Sequence, residues 1–409
     1  MHDQLTSVDD ALHYLLEHTQ PLEAREVRPL TEAIGRILAD PVYSSISVPP
    51  QDNSAVDGYA VNTRFISTDR CLPVSQRIPA GHTPKPLQPG TAARIFTGAF
   101  IPEGADAVVM QENVQAQEGT TEQNGTIIKL PDTITPEQNI RPKGQDIQQG
   151  QVVLPAGTRL RPQELGLLAS IGTADLPLFR PLRVGIISTG DELAEPGTPL
   201  QSGQIYNSNR YMLHGLLAQL PCNIQDYGII PDTADATLSA LDKAAAKCDL
   251  IITSGGVSVG EEDHIKNSID QLGQLNLWKI AIKPGKPLAF GAIRETPIIG
   301  LPGNPGAVFV TFNVFARPFI LKSCGALSYT PQSFPVPLGF NIKKPGIRRE
   351  YLRVKFTQDP ATGPCLEAYP NQSSGVLSSA CWGDGFAIIR ENTAPQCGDL
   401  VEFIPFSVL

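Results

Sequence analysis

No apolar run in this chain reaches the roughly 18 residues that a helical membrane span requires, and the opening Met1-His2-Asp3-Gln4 is unlike a secretory leader. A cytoplasmic protein with no membrane contact is expected. Basic excess is missing too: 32 Lys and Arg stand against 41 Asp and Glu, a formal net charge of -9. That balance leaves no electrostatic footprint for nonspecific binding to nucleic acid or to an anionic membrane, so an anion bound here should be small and locally held. Cysteine is sparse and scattered. The 7 cysteines, Cys71, Cys222, Cys248, Cys324, Cys365, Cys381 and Cys397, include no Cys-x-x-Cys, which indicates neither a disulfide framework nor a zinc site. The 6 histidines are isolated, so neither a Ser-His-Asp set nor a histidine metal spacing can be argued. Internal repeats, low-complexity tracts, a Rossmann fingerprint and a Walker loop are likewise lacking.

What is present is organisation. The 409 residues suffice for about two to four domains with separate cores. The strongest periodic signal lies within residues 179–328. Leu182 to Ser188 is an apolar run ending in Thr189-Gly190-Asp191, and Asp249 to Thr253 does the same before Ser254-Gly255-Gly256. Both read as buried parallel strands with functional loops at their carboxyl ends. Ser208–Leu220 and Ala234–Lys247 have helical periodicity, the second with Asp232 or Thr233 as N-cap. A helix after Glu261, strands through Leu288-Ala289-Phe290 and Pro297-Ile298-Ile299, and a helix over Ala307–Leu321 complete a doubly wound α/β pattern.

The flanks differ. Helical patterns at Ser7–His18, Thr31–Leu38 and Leu160–Ile171 predict that 1–45 and 140–178 form one elongated N-terminal domain. Between them, 46–139 is rich in Pro, Gly and Thr, with short alternating runs such as 92–96 and 126–130, and reads as an inserted β-rich module. Residues 329–409, with runs at 351–356, 386–389 and 400–403, predict a C-terminal β-domain. The expected class is α/β plus β in a multidomain, elongated chain.

The residues suited to chemistry cluster in the α/β stretch. Lys283-Pro284-Gly285-Lys286-Pro287 follows Trp278-Lys279 and precedes Pro302-Gly303-Asn304-Pro305. A single lysine is usually a solvated surface charge. Here prolines keep the loop from becoming a helix and a second turn is expected to close over it. Lys279, Lys283 and Lys286 thus predict a compact cationic pocket of the kind that stabilises a transferring phosphoryl group or a tetrahedral oxyanion. The loop Ser254 to Asp263 fits either a plain strand-to-helix turn or an anion nest whose glycines admit a phosphate to the backbone. Asp191 and Glu192 fit either helix capping or Mg²⁺ ligands bridging to phosphate oxygens. Asp57, Thr97 and Asp146, read alone, are Asx-turn or capping residues.

Taken in order, Asp52-Asn53-Ser54-Ala55-Val56-Asp57-Gly58-Tyr59-Ala60, Phe96-Thr97-Gly98-Ala99, Gly104-Ala105-Asp106-Ala107-Val108-Val109, Ser188-Thr189-Gly190-Asp191-Glu192-Leu193, Ser254 to Gly260, Lys283 to Pro287 and Pro302 to Pro305 resemble the MoeA family of molybdopterin molybdenumtransferases, also seen as the gephyrin E domain. The resemblance covers nearly the whole chain. It implies an enzyme that takes adenylylated molybdopterin and molybdate, cleaves the phosphoanhydride with Mg²⁺, inserts the metal and releases AMP. It further implies a molybdopterin-binding-like α/β domain, a homodimer, and contacts with the adenylyltransferase and with molybdoenzymes. Carried over by position, Asp57, Thr97, Asp146, Glu192 and Asp263 form the implied catalytic set, and Asp191 with Glu192 the metal pair. Implied substrate contacts are Ser254, Gly255, Gly256, Asp232, Lys279, Lys283, Lys286, Pro302, Gly303 and Asn304. The C-terminal domain would add Arg349 or Arg353, and Ser373 or Ser374, with Arg353 and Ser373 taken first. Gln51, Val56, Gln145 and Thr233 depart from the family pattern, as does Ala307, which replaces a serine whose hydroxyl would serve the oxyanion. Two other readings are a molybdopterin adenylyltransferase, which standing alone would lack the flanking modules, and a non-catalytic dimeric scaffold, which would not need the acidic and lysine sets.

Overall fold

The computed structural model describes residues 5–117, 125–256, 264–359 and 363–409. Contacts divide the chain into two units: Met1–Asp40, Ala156–Arg161 and Asp175–Leu409 make one, Pro41–Pro155 and Pro162–Ala174 the other.

A six-stranded sheet organises the first unit. Its strands are β1 (Leu182–Thr189), β2 (Cys222–Ile230), β3 (Leu250–Ser254), β4 (Gly273–Lys279), β5 (Pro287–Ile293) and β6 (Thr296–Leu301), in the spatial order β2-β1-β3-β6-β5-β4. The first four in that order run parallel; β5 and β4 join antiparallel. Successive strand side chains point to opposite faces, and here both faces are covered. Val184, Ile186, Leu250, Ile252, Ile299 and Leu301 share a core with Leu213 and Leu217 of helix α1 (Ser208–Ala218). Ile187, Ile251, Ile298 and Ala289 pack with Leu241 and Ala244 of α2 (Ala234–Ala245) and with Ile265 and Ile269 of α3 (His264–Leu272). Double coverage is why β1 and β3 read as unbroken apolar runs. The edge strands β2 and β4 lack such runs, and periodicity passed over them.

The N-terminal helix Val8–Glu17 starts at Ser7, whose Oγ accepts from the Asp10 N–H at 3.0 Å. It buries Val8, Ala11 and Leu15 in the α1-side core. Other parts of those two stretches do meet, since Arg25–Pro29 pairs antiparallel with Asp175–Phe179. Thr31–Leu38 is not the expected helix. Only the short 3-10 turn Leu30–Glu32 forms, and Gly35, at φ 74, leads into isolated bridges from Ile37 to Arg159 and Leu38 to Leu178. The helix expected from Ala307 runs from Pro305 to Ser323 through a π turn at Phe312–Ala316.

The C-terminal sheet orders Ile282–Lys283, Arg349–Asp359, Gly385–Ile389, Leu400–Pro405 and Phe334–Pro337, with Gly363–Ala368 paired to the long strand. One face closes on its own core through Leu352, Val354, Ala387 and Phe403. The other sends Tyr351, Phe386, Ile388 and Ile404 into the core beneath α1. In the second unit a six-stranded sheet, ordered 107–110, 58–61, 92–95, 71–78, 127–129 and 115–117, buries Tyr59 and Val61 on one face and Ala60 and Val108 on the other.

Asp249, just before β3, ties the amino-terminal edge of the main sheet. Its carboxylate accepts from Arg180 Nη1 at 2.6 Å, Arg183 Nη2 at 2.7 Å and the Arg183 backbone N–H at 2.8 Å. Burial pushes this carboxyl pKa up, but the two guanidiniums and the backbone donor together outweigh burial and hold it well below the usual 3.8. A depressed folded-state pKa stabilises fully above the unfolded value, and that stability is lost as pH falls through the folded pKa. Urea unfolding across pH should therefore show stability declining below about pH 3.8. Asp249→Asn should abolish this component of the decline and lower neutral-pH stability by roughly 3 kcal/mol, because it leaves two guanidiniums without their carboxylate.

Candidate functional site

From β1 the chain reaches β2 through α1 and then β3 through α2, and these helices cover opposite faces. Strand order thus switches direction between β1 and β3, where a crevice opens beyond the carboxyl ends. Ser188 is in register with Ser254, which sets Thr189-Gly190 beside Ser254-Gly255-Gly256. The Gly255 N–H donates to Leu301 O at 3.2 Å and brings in the third turn, Pro302-Gly303-Asn304. These turns line a cavity of about 900 Å³, together with 205–209, Lys283–Pro287, Arg348 and Gln372–Gly375. That volume lies in the range of small-molecule sites. Two glycines are obligatory here. A Cβ on Gly256, at φ +65, would lie 2.5 Å from Ile265 Cγ1, and one on Gly285, at φ +108, 2.5 Å from Thr311 Cγ2.

The cations are arranged differently from the sequence expectation. Lys283 and Lys286 line the cavity, but Lys279, on β4 opposite Pro287, does not; Arg348 takes the third place. Lys283 Nζ meets Glu350 Oε1 at 2.8 Å, with side chains 49% and 22% exposed. A pair this open contributes about 0.2–1 kcal/mol, so an incoming dianion can compete for the ammonium at small cost. Lys286 is exposed and meets no carboxylate among the described residues.

Glu192 and Asp232 bring carboxylates to the same cavity. Asp191 stands behind them, its Oδ1 accepting from the Asp232 N–H at 3.3 Å, and does not line the cavity. No helix begins at this pair, which leads into the short strand Leu193–Ala194, so helix capping is excluded. Among the described residues no three His, Cys, Asp or Glu side chains converge as a metal cage. An oxygen-only set of one or two carboxylates suits Mg²⁺, which keeps waters and takes ligand phosphate oxygens, and does not suit zinc.

Hydrogen-bond donors wait unpaired in the wall. Asn207 is 1% exposed; its Oδ1 caps α1 by accepting from Arg210 N–H at 3.2 Å, while its Nδ2 has no partner. Ser254 is 3% exposed and its Oγ is also unpartnered. A buried unpaired polar group costs about 1–3 kcal/mol, which a polar ligand recovers. Asn209 Nδ2 donates to Gly303 O at 2.7 Å and pins the third turn. Sequence reasoning missed Asn207, Asn209, Arg348 and Gln372; the available signal was an asparagine just before a periodic helix. Ala307 is buried in the wall without a hydroxyl, and Ser254, Ser373 and Ser374 line the same cavity.

Arg353, expected from the resemblance as a substrate contact, does not line the cavity. It is 1% exposed and absent from the lining, with Nε donating to Ser379 Oγ at 2.9 Å, Nη2 to Ser373 O at 3.1 Å and Nη1 to Tyr351 O at 3.3 Å. Its function is to hold the 372–375 loop, which Gly306 N–H also grips through Ser374 O at 2.8 Å. Arg349 is committed to Asp9 at 2.6 Å and Glu391 at 3.3 Å.

Asp57, Thr97 and Asp146 belong to the second unit. Asp57 Oδ1 accepts from both the Thr97 N–H and Thr97 Oγ1 at 2.8 Å, and these two donors, backbone first, hold its carboxyl below the usual carboxylate range. Asp146 is exposed in a turn anchored by its own N–H to Val48 O at 3.0 Å. Asp263 lies outside the described residues.

Glycine turns, unpaired donors, cations and two carboxylates at the switch point of a doubly wound sheet define a multidomain protein that binds a phosphorylated or oxyanionic small molecule. Family models described as MoeA N-terminal region (domain I and II), probable molybdopterin binding domain and MoeA C-terminal region (domain IV) match residues 6–172, 185–322 and 335–406. A "Molybdopterin molybdenumtransferase" of Haemophilus influenzae is 40% identical, covering 99% of this chain and 100% of its own length. One of Bacillus subtilis is 37% identical, covering 80% of this chain and 76% of its own. A solved molybdopterin biosynthesis moeA protein from Pyrococcus horikoshii OT3 superposes with a TM-score of 0.83 at 30% identity, over 98% of this chain and 100% of that one. The chain belongs to the MoeA family.

Gly285→Ala should cost about 1–3 kcal/mol in thermal unfolding through forced backbone strain. Gly375→Ala, whose added Cβ meets open space, should leave stability unchanged.

Proposed function

We propose that this chain is a molybdopterin molybdenumtransferase, converting adenylylated molybdopterin and molybdate to molybdenum cofactor with release of AMP. The observation that carries this reading is the cavity that Lys283, Lys286 and Arg348 line together with Glu192, Asp232 and three glycine-bearing turns. A relative of that name, 40% identical over 99% of this chain, supports it.

A tetrahedral dianion needs several donors, since each satisfies part of its charge. Lys286 and Lys283 supply charge, Arg348 a planar fork, and Ser373 and Ser374 hydroxyls. Asn207 Nδ2, Ser254 Oγ and the backbone at Gly255-Gly256, which belong to the same lining, would orient a phosphate. Mg²⁺, when bound, would neutralise phosphate charge and polarise the anhydride, and Glu192 and Asp232 are the side chains that would hold it, with Asp191 behind. Asp57, Thr97 and Asp146 are assigned to the same reaction by their family positions. A homodimer and contacts with the adenylyltransferase and with molybdoenzymes belong to this proposal.

The test is AMP release from adenylylated molybdopterin by the purified chain with Mg²⁺ over a molybdate series. Molybdate-stimulated release is expected; tight binding of the nucleotide without turnover would instead identify a scaffold. Lys286→Ala should raise the molybdate concentration for half-maximal rate about tenfold or more, as expected for loss of a charge-assisted contact. Glu192→Gln should raise the Mg²⁺ requirement while leaving thermal stability intact, which a Mg²⁺ titration of the rate and a melting curve measure together.

A further inference from the structure

The second unit holds a carboxylate of which only one oxygen is engaged. Asp57 Oδ1 takes both donors of Thr97, the backbone N–H and Oγ1, at 2.8 Å each, while Oδ2 has no hydrogen bond among the described residues. An ionised carboxylate accepts at both oxygens, so one is held and the other is left for a ligand. Its direction is fixed by the backbone at positions 57 and 97. Neither position lies inside a strand: Asp57 precedes Gly58–Val61, and Thr97 follows Ala92–Ile95 after Phe96. The ladder that pairs Gly58 with Ile95 and Tyr59 with Arg94 stops short of both.

Arg94 supplies the missing tie. Its Nη1 donates to Gly58 O and to Ile95 O, both at 2.9 Å, and so clamps the backbone one residue after Asp57 and two before Thr97. Its Nη2 donates to Gln111 Oε1, and the Gln111 N–H in turn donates to Asp57 O at 3.1 Å. Gln111 Nε2 donates to Glu112 Oε1 at 3.0 Å, which keeps the amide oxygen turned to Arg94. A planar guanidinium can hold three such acceptors because its donors are rigidly spaced, and a lysine ammonium lacks that fork. The head group is itself packed, with its carbon 4.4 Å from the Phe96 ring centroid and 5.3 Å from that of Tyr59. Its positive charge favours the ionised Asp57 carboxylate, after the two Thr97 donors and against burial. Arg77, the register partner of Arg94 on the neighbouring strand, lies over the same Phe96 ring at 4.5 Å. Unlike Arg94, its guanidinium makes no hydrogen bond to either backbone segment among the described residues.

We propose that Arg94 is a positioning residue for the transferase reaction: by clamping the backbone on either side of the Asp57–Thr97 pair, it sets where Asp57 Oδ2 points. The inference rests on the proposed assignment of Asp57 and Thr97 to that reaction. In Arg94→Ala, kcat for AMP release should fall about tenfold to a hundredfold, the scale of a reacting group misplaced by about 1 Å. Because the pair would act in the transition state, kcat/KM should fall equally. Guanidinium chloride at non-denaturing concentration should recover part of the loss, whereas urea, planar but uncharged, should not. Arg77→Ala should keep full kcat, since its guanidinium shares the ring contact but not the clamp. Unchanged kcat in Arg94→Ala, no recovery with guanidinium, or an equal loss in Arg77→Ala would overturn the proposal. A crystal structure of the full-chain Arg94→Ala protein gives a reading that needs no activity. Both Thr97 bonds to Asp57 should lengthen or break, and a pair kept at 2.8 Å would overturn the proposal. Should Arg94→Ala fail to fold, Arg94→Lys, which keeps the charge and the stem but not the fork, should show the same two losses in smaller size. Wild-type kcat with an undisturbed pair in that variant would count against the clamp. If the unmodified chain releases no AMP, the proposed function fails, and the variant structure still decides whether Arg94 holds the pair.

Discussion

The parallel pairing of β1 with β3 is the constraint on which the large cavity rests. Because Ser188 and Ser254 are in register, two chain reversals that lie more than sixty residues apart in sequence end at the same height on adjacent strands. Neither turn alone could surround a phosphate. Side by side, with Leu301 O accepting from Gly255 N–H, they form one continuous polar floor. The pairing is in turn held by coverage of both sheet faces, which excludes water from the ladder, and by Asp249 at the opposite edge, whose two guanidinium partners keep the strand starts aligned.

The C-terminal sheet contributes through rigidity more than through direct charge. Tyr351, Phe386 and Ile404 anchor it in the α/β core, and the fully buried Arg353 spends its guanidinium on Ser379 and on Ser373 O. The 372–375 loop therefore lines the cavity from a fixed backbone. Arg348, five positions earlier, does reach the cavity. Neighbouring arginines on and beside one strand thus divide the labour: Arg348 meets the ligand space, Arg349 holds the N-terminal helix through Asp9, and Arg353 holds the loop.

The cavity combines charge that is loosely held with donors that are tightly held. Lys283 shares its charge with Glu350 in a half-open pair, and Lys286 is solvated, so both can adjust to an arriving anion. Asn207 and Ser254 cannot move freely, because each is buried and fixed by helix or strand. Preorganised donors for one ligand group and adaptable cations for another suit a site that must hold two partners, one large and one small.

The amino-acid sequence by itself determined the class of fold and the places where chemistry could occur. Central strands buried on two faces must be apolar throughout, so 182–188 and 249–253 announced themselves, and turns that end such strands in Gly190 and Gly255-Gly256 marked the functional edge. Edge strands β2 and β4, solvated on one side, carried no such mark, and Thr31–Leu38 had helical spacing that long-range pairing with Arg159 and Leu178 overrode. Only the tertiary structure decided which members of each charged group face the ligand space. Lys279 and Lys283 differ by four positions and Arg348 and Arg353 by five, yet in each pair one lines the cavity and the other does not. That choice depends on strand register and on which guanidinium the core can satisfy internally, and both are set by contacts between segments far apart along the chain.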